Sequence, residues 1–593
     1  MIEGYDYSSK ESREITIQTL FDKAKKQRNP VEADWDAFER LYNFQRDAMS
    51  ELEGADDWKA PVMPDAWIQV ESSVVTEIPE PEFRGRDNDL DSTKARNREY
   101  VVRYISENNH LKEMAVEQDK RMIKLGDTFV KAYWDSTMRC GKDEGDIRVI
   151  PVSPRNIYPD PSIADGKLEN CEYVDYVYSM HKVAFARMYK RELEKAGLEL
   201  EELVGKTYTE QDGSTEKTDT VEVLEHWFRQ PEDGKDTHAG CIGCSILVSG
   251  HEIKYIPNYW KNSWRQTQEF PFVQFWRIKN ERSFWNFSEL YPIADMLYAA
   301  DRKLAAAAYA DAMMSNDVVI VEEEALADGE EITNEPGAVW TVKPGRGGAV
   351  RRLGGVQSLA NSAVTLEWYK EQMERTTRNY ETSRGKEAAR TSTATGLAML
   401  RADADSQEKI KQADRNHGYE RLYRLLDKLA LEFFDDGRQI FLGADPVTGR
   451  EQISFAFDSR EYAMTSPEIL DANGETLREE YKYFPEVDVS ITATDALITG
   501  TSQTIQILDS LIERIKGVDQ TNWLIVKEML NMLQLPNRQD IIKDLEARFS
   551  GMQQTPDIGG ESMGALPMSG ENVLPEDPTA RLPTQVGGVP TNI

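Results

Sequence analysis

The sequence predicts a mixed α+β fold, and three observations support that fold class. Eight alanines lie between Tyr298 and Met313, and alanine has the highest helix propensity, so a long helix is expected over residues 288–314. Apolar residues at helical spacing predict two further helices, at residues 356–380 and 395–436. Runs rich in β-branched and aromatic residues, such as residues 128–134, predict strands in the N-terminal half.

Residues 1–287 are expected to form N-terminal helices followed by an α+β block. Two helices are predicted within residues 1–60; the apolar positions of the second are Trp35, Phe38, Leu41, Tyr42, Met49 and Leu52. A long charged helix is predicted over residues 93–125. Pro159 and Pro161 flank Asp160 and predict a rigid bend after a strand. Further strands are predicted at 173–178, 220–229, 245–255 and 270–278, with a helix at 183–196.

The alanine-rich helix has a plausible start and an unusual surface. Ser288 is predicted as its N-cap, and Pro292 falls in or just before the first turn, where a proline does least harm. At about 1.5 Å per residue, residues 288–314 span about 40 Å. Small side chains let neighbouring helices approach closely, which is typical of a crowded ring of identical helices.

A short β-rich insert at residues 315–355 separates this helix from the next one. Val318–Val321 predicts one strand, residues 335–342 predict a turn entering a second strand, and residues 343–348 form a further break. The loop at 381–394 contains three cations and several hydroxyls. The third helix is polar in its first half, and its predicted apolar stripe consists of Leu397, Leu400, Ile410, Leu422, Leu425, Leu426, Leu429 and Phe433.

The C-terminal part is expected to contain a strand-bearing connection, a group of helices and a tail. Residues 437–499 carry predicted strands at 452–457 and 487–491. Three short helices, at 501–516, 521–534 and 538–549, are predicted within residues 500–549. Residues 550–593 contain many prolines and glycines and no aromatic residue, so we expect a disordered tail.

Composition and charge exclude several protein classes. The 593 residues include 104 acidic and 71 basic side chains, a net charge of −33, which argues against a protein that reads DNA sequence with a basic face. A mostly acidic surface suits a protein that DNA must slide past. Four cysteines do not make a disulfide scaffold, and neither a signal peptide nor a membrane span is expected, so a reducing compartment is predicted.

Candidate chemical motifs are weak. Cys241 and Cys244 have zinc-knuckle spacing, with His238 and His251 nearby, but no second pair completes four ligands, and a turn of a β-hairpin is the favoured interpretation. A redox pair would need a following helix, whereas a strand is predicted. Lys206 ends an incomplete Walker A motif, and Ser562 lies in a GxSxG match within the predicted tail. Acidic residues 322–324 and 330–331 are expected to form a solvated surface that faces a partner ring.

The order of elements resembles the tailed-phage portal (head–tail connector) proteins. Residues 270–276 resemble the strand that enters the family's stem, residues 336–340 its clip turn, and residues 390–396 its junction between tunnel loop and spine. The resemblance implies a portal-like fold with these parts: a wing within 1–287, stem helix 1 at 288–314, clip at 315–355, stem helix 2 at 356–380, tunnel loop at 381–394, spine helix at 395–436, wing/crown connection at 437–499, helical crown at 500–549 and tail at 550–593.

The resemblance also assigns candidate binding residues. The tunnel loop would line the narrowest part of a channel, so Arg384, Lys386 and Arg390 are candidates for contacts with DNA phosphates, although they are equally well explained as ordinary loop charges paired with Glu381 and Glu387. The clip would dock terminase and adaptor proteins; its candidate residues are Lys343, Arg346, Arg351 and Arg352. Neither catalytic residues, nor a metal, nor a cofactor is expected.

The function implied is that of a virion protein that carries out no covalent chemistry. It would form a homo-oligomeric ring of twelve subunits at one capsid vertex, after assembly in the host cytoplasm. DNA would be packaged and ejected through it without sequence recognition. Its expected partners are the terminase motor, head–tail adaptor and tail proteins, and the major capsid and scaffolding proteins, but no membrane. Alternatives are another ring-forming connector or capsid-associated protein, or an intracellular enzyme with a zinc module at Cys241 and Cys244.

Overall fold

The computed structural model contains both helices and antiparallel sheets, which confirms a mixed α+β fold. It describes residues 5–45, 61–85, 92–140, 143–163, 166–205, 219–231, 240–260 and 269–315, shorter stretches at 318–322, 326, 342–345, 348, 350–353 and 359–377, and then residues 394–443, 452–466, 469–470, 476–478 and 481–492. All of them belong to the unit Met1–Ala496; the predicted helices at 500–549 and the predicted tail lie outside the described residues.

Helices and strands are numbered in chain order. The helices are α1 Lys10–Tyr42, α2 Asp65–Ser73, α3 Ser92–Asn108, α4 Leu111–Leu125, α5 Lys182–Ala196, α6 Leu200–Leu203, α7 Ala294–Ser315, α8 Leu359–Thr377 and α9 Ala394–Phe433. The strands up to α7 are β1 Glu80–Gly85, β2 Asp127–Cys140, β3 Asp143–Val152, β4 Ile157–Pro159, β5 Tyr173–His181, β6 Thr220–Arg229, β7 Ile242–Val248, β8 His251–Ile256 and β9 Phe272–Trp276. The later strands are β10 Val318–Val321, β11 Val350–Leu353, β12 Arg438–Leu442, β13 Ile453–Phe457, β14 Met464–Ser466, β15 Ile469–Leu470, β16 Thr476–Arg478, β17 Tyr481–Tyr483 and β18 Val487–Thr492.

Two antiparallel sheets organise the N-terminal half. One has five strands in the order β4-β5-β6-β7-β8, and the other has three in the order β3-β2-β9. The main core is formed by α1, α4, both sheets and the second half of α9, and a second, smaller core lies where the start of α1 covers the five-stranded sheet. The strand β18, at the end of the described chain, pairs antiparallel with β1, so residues 487–492 are joined to residues 80–85 by a two-stranded sheet.

Helix α1 is a single helix, so the prediction of two helices within residues 1–60 was wrong. It continues through Pro30, which is exposed. One apolar face runs along its whole length, and the packing of Ile17 and Phe21 before the proline and of Trp35 after it outweighs the lost backbone hydrogen bond. Met49 and Leu52 lie outside the described residues.

The predicted helix over residues 93–125 is broken into α3 and α4. His110 adopts a left-handed conformation, with φ of 52°, and ends the run. Asn109 then bonds to the strand β3, because its Nδ2 donates to the carbonyl of Ile147 and its Oδ1 accepts from the backbone N–H of Val149. These side-chain bonds hold the break between α3 and α4 against β3, and no local sequence pattern predicts such long-range bonds.

The predicted strand at 245–255 is a hairpin. Ser249 and Gly250 have φ of 52° and 84°, and this pair of positive values makes the tight turn between β7 and β8. Strand β11, which pairs with β10 at the end of the insert, was not predicted from the sequence. The predicted turn and strand at 335–342 lie outside the described residues except for Val342, which forms an isolated bridge to Leu326. The pair β12–β13 includes a strand that no sequence pattern predicted.

The alanine-rich helix begins at Ala294, six residues later than predicted. Ser288 is not its N-cap: the Ser288 hydroxyl donates to the carbonyl of Ile123 and accepts from the backbone N–H of Leu290. A single 3₁₀ turn containing Pro292 precedes α7, in agreement with the expected position of the proline. In α9 the leucines from Leu422 to Leu429 are buried as predicted, but Ile410 is 67% exposed, so its place on the apolar stripe was wrong.

Candidate functional site

The predicted loop cations Arg384, Lys386 and Arg390 lie outside the described residues, which end at Thr377 before the loop and resume at Ala394. The structure therefore describes both helices that flank the loop. Helix α8 packs against α7, and α9 packs against β9, α3 and β2. What it does describe in detail is how α9 and the start of α7 are attached to the rest of the chain.

The predicted clip cations are partly described. Arg351 and Arg352 lie on β11, where they pair in register with Ile320 and Val319 of β10. Lys343 is half-buried and directly follows the bridge at Val342. Arg346 lies outside the described residues, as do the acidic positions 323–324 and 330–331, whereas Glu322 is exposed.

The Cys241 and Cys244 pair enters a strand and does not form a hairpin turn. Cys244 is buried within β7, opposite Trp227 of β6, and Cys241 precedes that strand. Residues three apart in extended chain point to opposite faces, which suits neither a shared metal nor a disulfide. Burial raises the pKa of both thiols, and for Cys244 the charge of Glu225 adds to that effect. His251 is exposed at the start of β8, and His238 is outside the described residues.

No group of three or more His, Cys, Asp or Glu side chains within the described ranges is arranged to hold a metal ion. Among the helices that the structure describes, none combines the length and hydropathy needed to cross a membrane.

A buried network of charged side chains is the most conspicuous polar site in the described chain. We call it the junction network and define it as Asp119 of α4, Arg277 after β9, Glu289 ahead of α7, and Lys411 and Arg415 of α9. Asp119, Arg277, Glu289 and Arg415 are each no more than 3% exposed. Burying four charged groups costs free energy unless opposite charges are paired. Close ion pairs are therefore expected among these side chains.

Glu289 is the centre of one half of the network. Its Oε1 lies 2.7 Å from Nε of Arg277 as an ion pair, and its Oε2 accepts from Nζ of Lys411 at 2.9 Å and from Nε2 of Gln69 at 3.0 Å. The backbone N–H of Glu289 donates to the carbonyl of Ile123. Glu289 therefore joins α2 and α9 through its carboxylate, and α4 through its backbone N–H, to the segment that starts α7.

Asp119 is the centre of the other half. Its Oδ1 accepts from Nε of Arg415 at 2.7 Å, and its Oδ2 accepts from the backbone N–H of Val75 at 2.8 Å. Arg415 also donates to the carbonyls of Val75 and Glu77. Arg277 links the halves, because its Nη1 lies 3.7 Å from Oδ2 of Asp119.

The electrostatics of Glu289 differ from those of a carboxyl group that has no cation beside it. Burial alone would raise the pKa of Glu289, but the charges of Arg277 and Lys411, with hydrogen bonds from Lys411 and Gln69, hold it below its usual value. Asp127, eight residues after Asp119, accepts hydrogen bonds from Asn286 and Gln274 and has no cation bonded to it among the described residues, and there burial prevails and raises the pKa to about 6. Glu289 is thus held as an anion by its cations.

Two further buried ion pairs attach α9 and its end. Arg98 of α3 pairs with Asp427 through both carboxylate oxygens, and its Nη1 donates to the carbonyl of Pro485. Arg438, four residues beyond Phe434, pairs with Asp146 at 3.2 Å and donates to the carbonyl of Gly145. Ion pairs therefore attach α9 at Lys411 and Arg415, at Asp427, and just beyond its end at Arg438. They act together with the buried leucines of the helix.

None of these pairs was anticipated from the sequence. Their partners lie from 12 residues (Arg277 and Glu289) to more than 300 residues (Arg98 and Asp427) apart, and each residue alone looks like an ordinary helical or loop charge. The sequence did contain one signal for a buried ion pair. Arg415 and Asp119 fall on the buried sides of their helices and interrupt otherwise apolar positions. The arrangement offers no nucleophile or open position for a substrate; chemically it can hold helices in fixed positions.

Comparison with known proteins adds one match. A family model described as phage P22-like portal protein matches residues 51–568. No curated protein matches the chain.

Proposed function

Because the chain belongs to the P22-like phage portal family, whose model covers most of its length, we propose that twelve copies form its ring at the capsid vertex. The protein is a phage portal protein, and packaging of the genome and docking of other components are the typical roles of this family. Family membership implies a ring oligomer that contacts capsid, terminase and tail proteins in the virion. Twelve is our inference from the resemblance in element order.

We assign the parts of the portal to this chain by their order. The helices α7 and α8 serve as the stem, the insert at 315–355 as the clip, the loop at 381–394 as the tunnel loop, and α9 as the spine. The α+β block before α7 serves as the wing, and residues 500–549 as the crown. This assignment is supported by the packing of α7 on α8 and by the small strand pair β10–β11 between them.

The proposed mechanism is mechanical and needs neither a catalytic residue nor a cofactor. DNA passes through the ring without sequence recognition, driven by the terminase motor during packaging. The head–tail adaptor and tail proteins bind the clip, with Lys343, Arg346, Arg351 and Arg352 as contact residues. The major capsid and scaffolding proteins surround the wing, and assembly takes place in the host cytoplasm. The charge of −33 keeps most of the surface repulsive to DNA.

The tunnel-loop cations Arg384, Lys386 and Arg390 provide the proposed exception to that repulsion. A ring multiplies each cation by the number of subunits, so many weak phosphate contacts act on one duplex. Contacts of this kind position the backbone and do not read bases.

The junction network is proposed to hold helix α9 and the start of helix α7 in place. The loop at 381–394 is followed directly by α9, and α9 is fixed to the wing through Lys411, Arg415 and Asp427. The start of α7 is fixed at the same place through Glu289. The charged groups of the junction network are buried and have fixed partners. The start of α7 and helix α9 are therefore expected to keep defined positions.

The match over residues 51–568 is the observation that carries this proposal. The test is to assemble phage heads in cells that lack this protein and in cells that supply it. Heads made without it should remain empty of genome-length DNA and lack tails, and supply of the protein should restore both. Heads that fill with DNA and acquire tails in its absence would contradict the proposal.

A further inference from the structure

Helix α5 carries more cations than carboxylates, although the chain as a whole is acidic. Its sequence contains five cations and two carboxylates, within a chain whose net charge is −33. Phe185, Tyr189 and Leu193 are buried against the five-stranded sheet, which fixes the opposite side outward. The outward cations are exposed; we name them the α5 cations: Arg187, Lys190, Arg191 and Lys195.

The α5 cations differ from other arginines of the protein. Arg98, Arg155, Arg415 and Arg438 all pair with carboxylates. On α5, Lys182 pairs with Asp219, whereas the four α5 cations make no ion pair or side-chain hydrogen bond in the part of the chain that the structure describes. In a chain rich in acidic residues, such unpaired cations on one surface provide an available site for a polyanion.

We propose that the α5 cations bind the phosphate backbone of double-stranded DNA outside the channel. The inference rests on the proposed function, because a portal meets a high concentration of DNA as the head fills. It concerns a helix of the α+β block and not the loop at 381–394. Contacts from exposed Arg and Lys side chains to phosphates need no base recognition, which suits DNA of any sequence.

Duplex DNA fits this surface better than an acidic protein does. A specific protein interface normally has an apolar centre. The apolar residues exposed on α5 are Val183 and Met188, and they lie among charges and not as a continuous patch. Isolated exposed apolar residues are ordinary for a soluble surface. The cations are the distinctive feature, and they are spread over two turns of the helix.

The test uses purified full-length rings and closed circular plasmid DNA. A closed circle cannot thread a closed ring, so its binding reports on surfaces outside the channel. Binding is measured over a series of KCl concentrations for the wild type, for R187A/R191A, and for K23A/K26A as a control of equal charge. Lys23 and Lys26 are exposed on α1, and all four replacements put alanine, a good helix former, at exposed helical positions.

The expected result is that R187A/R191A loses about 2 units from the slope of log K against log salt for each subunit that contacts the duplex, since each phosphate contact contributes about 0.9. K23A/K26A should keep the wild-type slope. The inference is overturned if wild-type rings do not bind the plasmid, if R187A/R191A binds as the wild type does, or if the two variants change equally. Absence of rings in the wild type would instead contradict the proposed function.

Discussion

Lys411 of the long helix α9 donates a hydrogen bond of 2.9 Å to Glu289, which lies just ahead of helix α7. The two residues are 122 positions apart and enclose the insert, α8 and the loop at 381–394. This bond, with Arg277 on the other carboxylate oxygen, brings the start of α7 and helix α9 together at one buried carboxylate.

Replacement of Glu289 by Gln should strongly destabilise the protein. The change removes the buried carboxylate that pairs with Arg277 and Lys411, and breaking a buried ion pair in this way costs about 3–5 kcal/mol. The measurement is chemical denaturation at a fixed protein concentration.

The matched control is E371Q on α8. Glu371 pairs with Arg375 at 2.7 Å, but both side chains are more than half exposed. An exposed pair of this kind contributes at most about 0.5 kcal/mol, so E371Q should unfold like the wild type. Equal stability of the two variants would show that the junction network does not hold the fold.

The stability of the wild type should fall in acid partly through Glu289. Its folded pKa lies below the ordinary value of 4.5, so the stabilisation is present above that pH and is lost as the pH falls through the folded pKa. Unfolding of the wild type and E289Q is compared from pH 7 to pH 3. The stability difference should be constant down to about pH 5 and shrink below it.

The titration of Asp127 does not affect the stability difference between the wild type and E289Q. Its pKa is raised to about 6, so its stabilisation is present below the ordinary value of 3.8 and lost as the pH rises to about 6. The residue is the same in both proteins, and its effect cancels in the difference. A gap between wild type and E289Q that widens on acidification would contradict the assignment of Glu289 as a stabilised anion.

Replacement of Gly418 by Ala should destabilise the contact between α9 and β9. A Cβ at this position would lie 2.3 Å from Cδ1 of Phe275, whose ring is buried against Tyr419. Overpacking of this kind costs about 1–3 kcal/mol, although alanine by itself favours a helix. G443A is the control, since its Cβ meets nothing within 4 Å. The measurement is thermal unfolding of both variants. A gain of stability in G418A would show that helix α9 can shift away from strand β9.

The sequence predicted the helices and buried leucines well because these depend on local pattern. Leu422, Leu425 and Leu429 repeat at helical spacing and are all buried. It failed where distant residues decide the local conformation. The break at His110 is stabilised by the bonds of Asn109 to β3, and Pro30 is tolerated because the two ends of α1 both pack on the core.

The candidate site was predicted only in part, for the same reason. A loop rich in cations is visible in a sequence, so Arg384, Lys386 and Arg390 were easy to propose. The junction network was not, because Asp119 and Arg415 are 296 residues apart and no local pattern pairs them. Ile410 follows the helical period yet is exposed, since a period identifies a face but not what covers it.

Replacement of all three tunnel-loop cations, R384A/K386A/R390A, should leave ring formation unchanged and alter DNA packaging. Solvent-facing changes typically shift stability by within about 0.5 kcal/mol, whereas the loss of phosphate contacts is multiplied around the ring. The measurement is the length of packaged DNA in heads built with the variant. Full heads with normal retention would make these residues ordinary loop charges, and failure to form rings would place them in a subunit interface.

The central claim is that twelve copies of this chain close into a ring around an open channel. Native mass spectrometry of the purified protein, with electron micrographs of the same sample, tests it most directly. The account predicts one dominant species of twelve times the chain mass, seen end-on as a closed ring with a central hole. A species that stays monomeric at micromolar concentration across salt conditions, or an open filament, would contradict it.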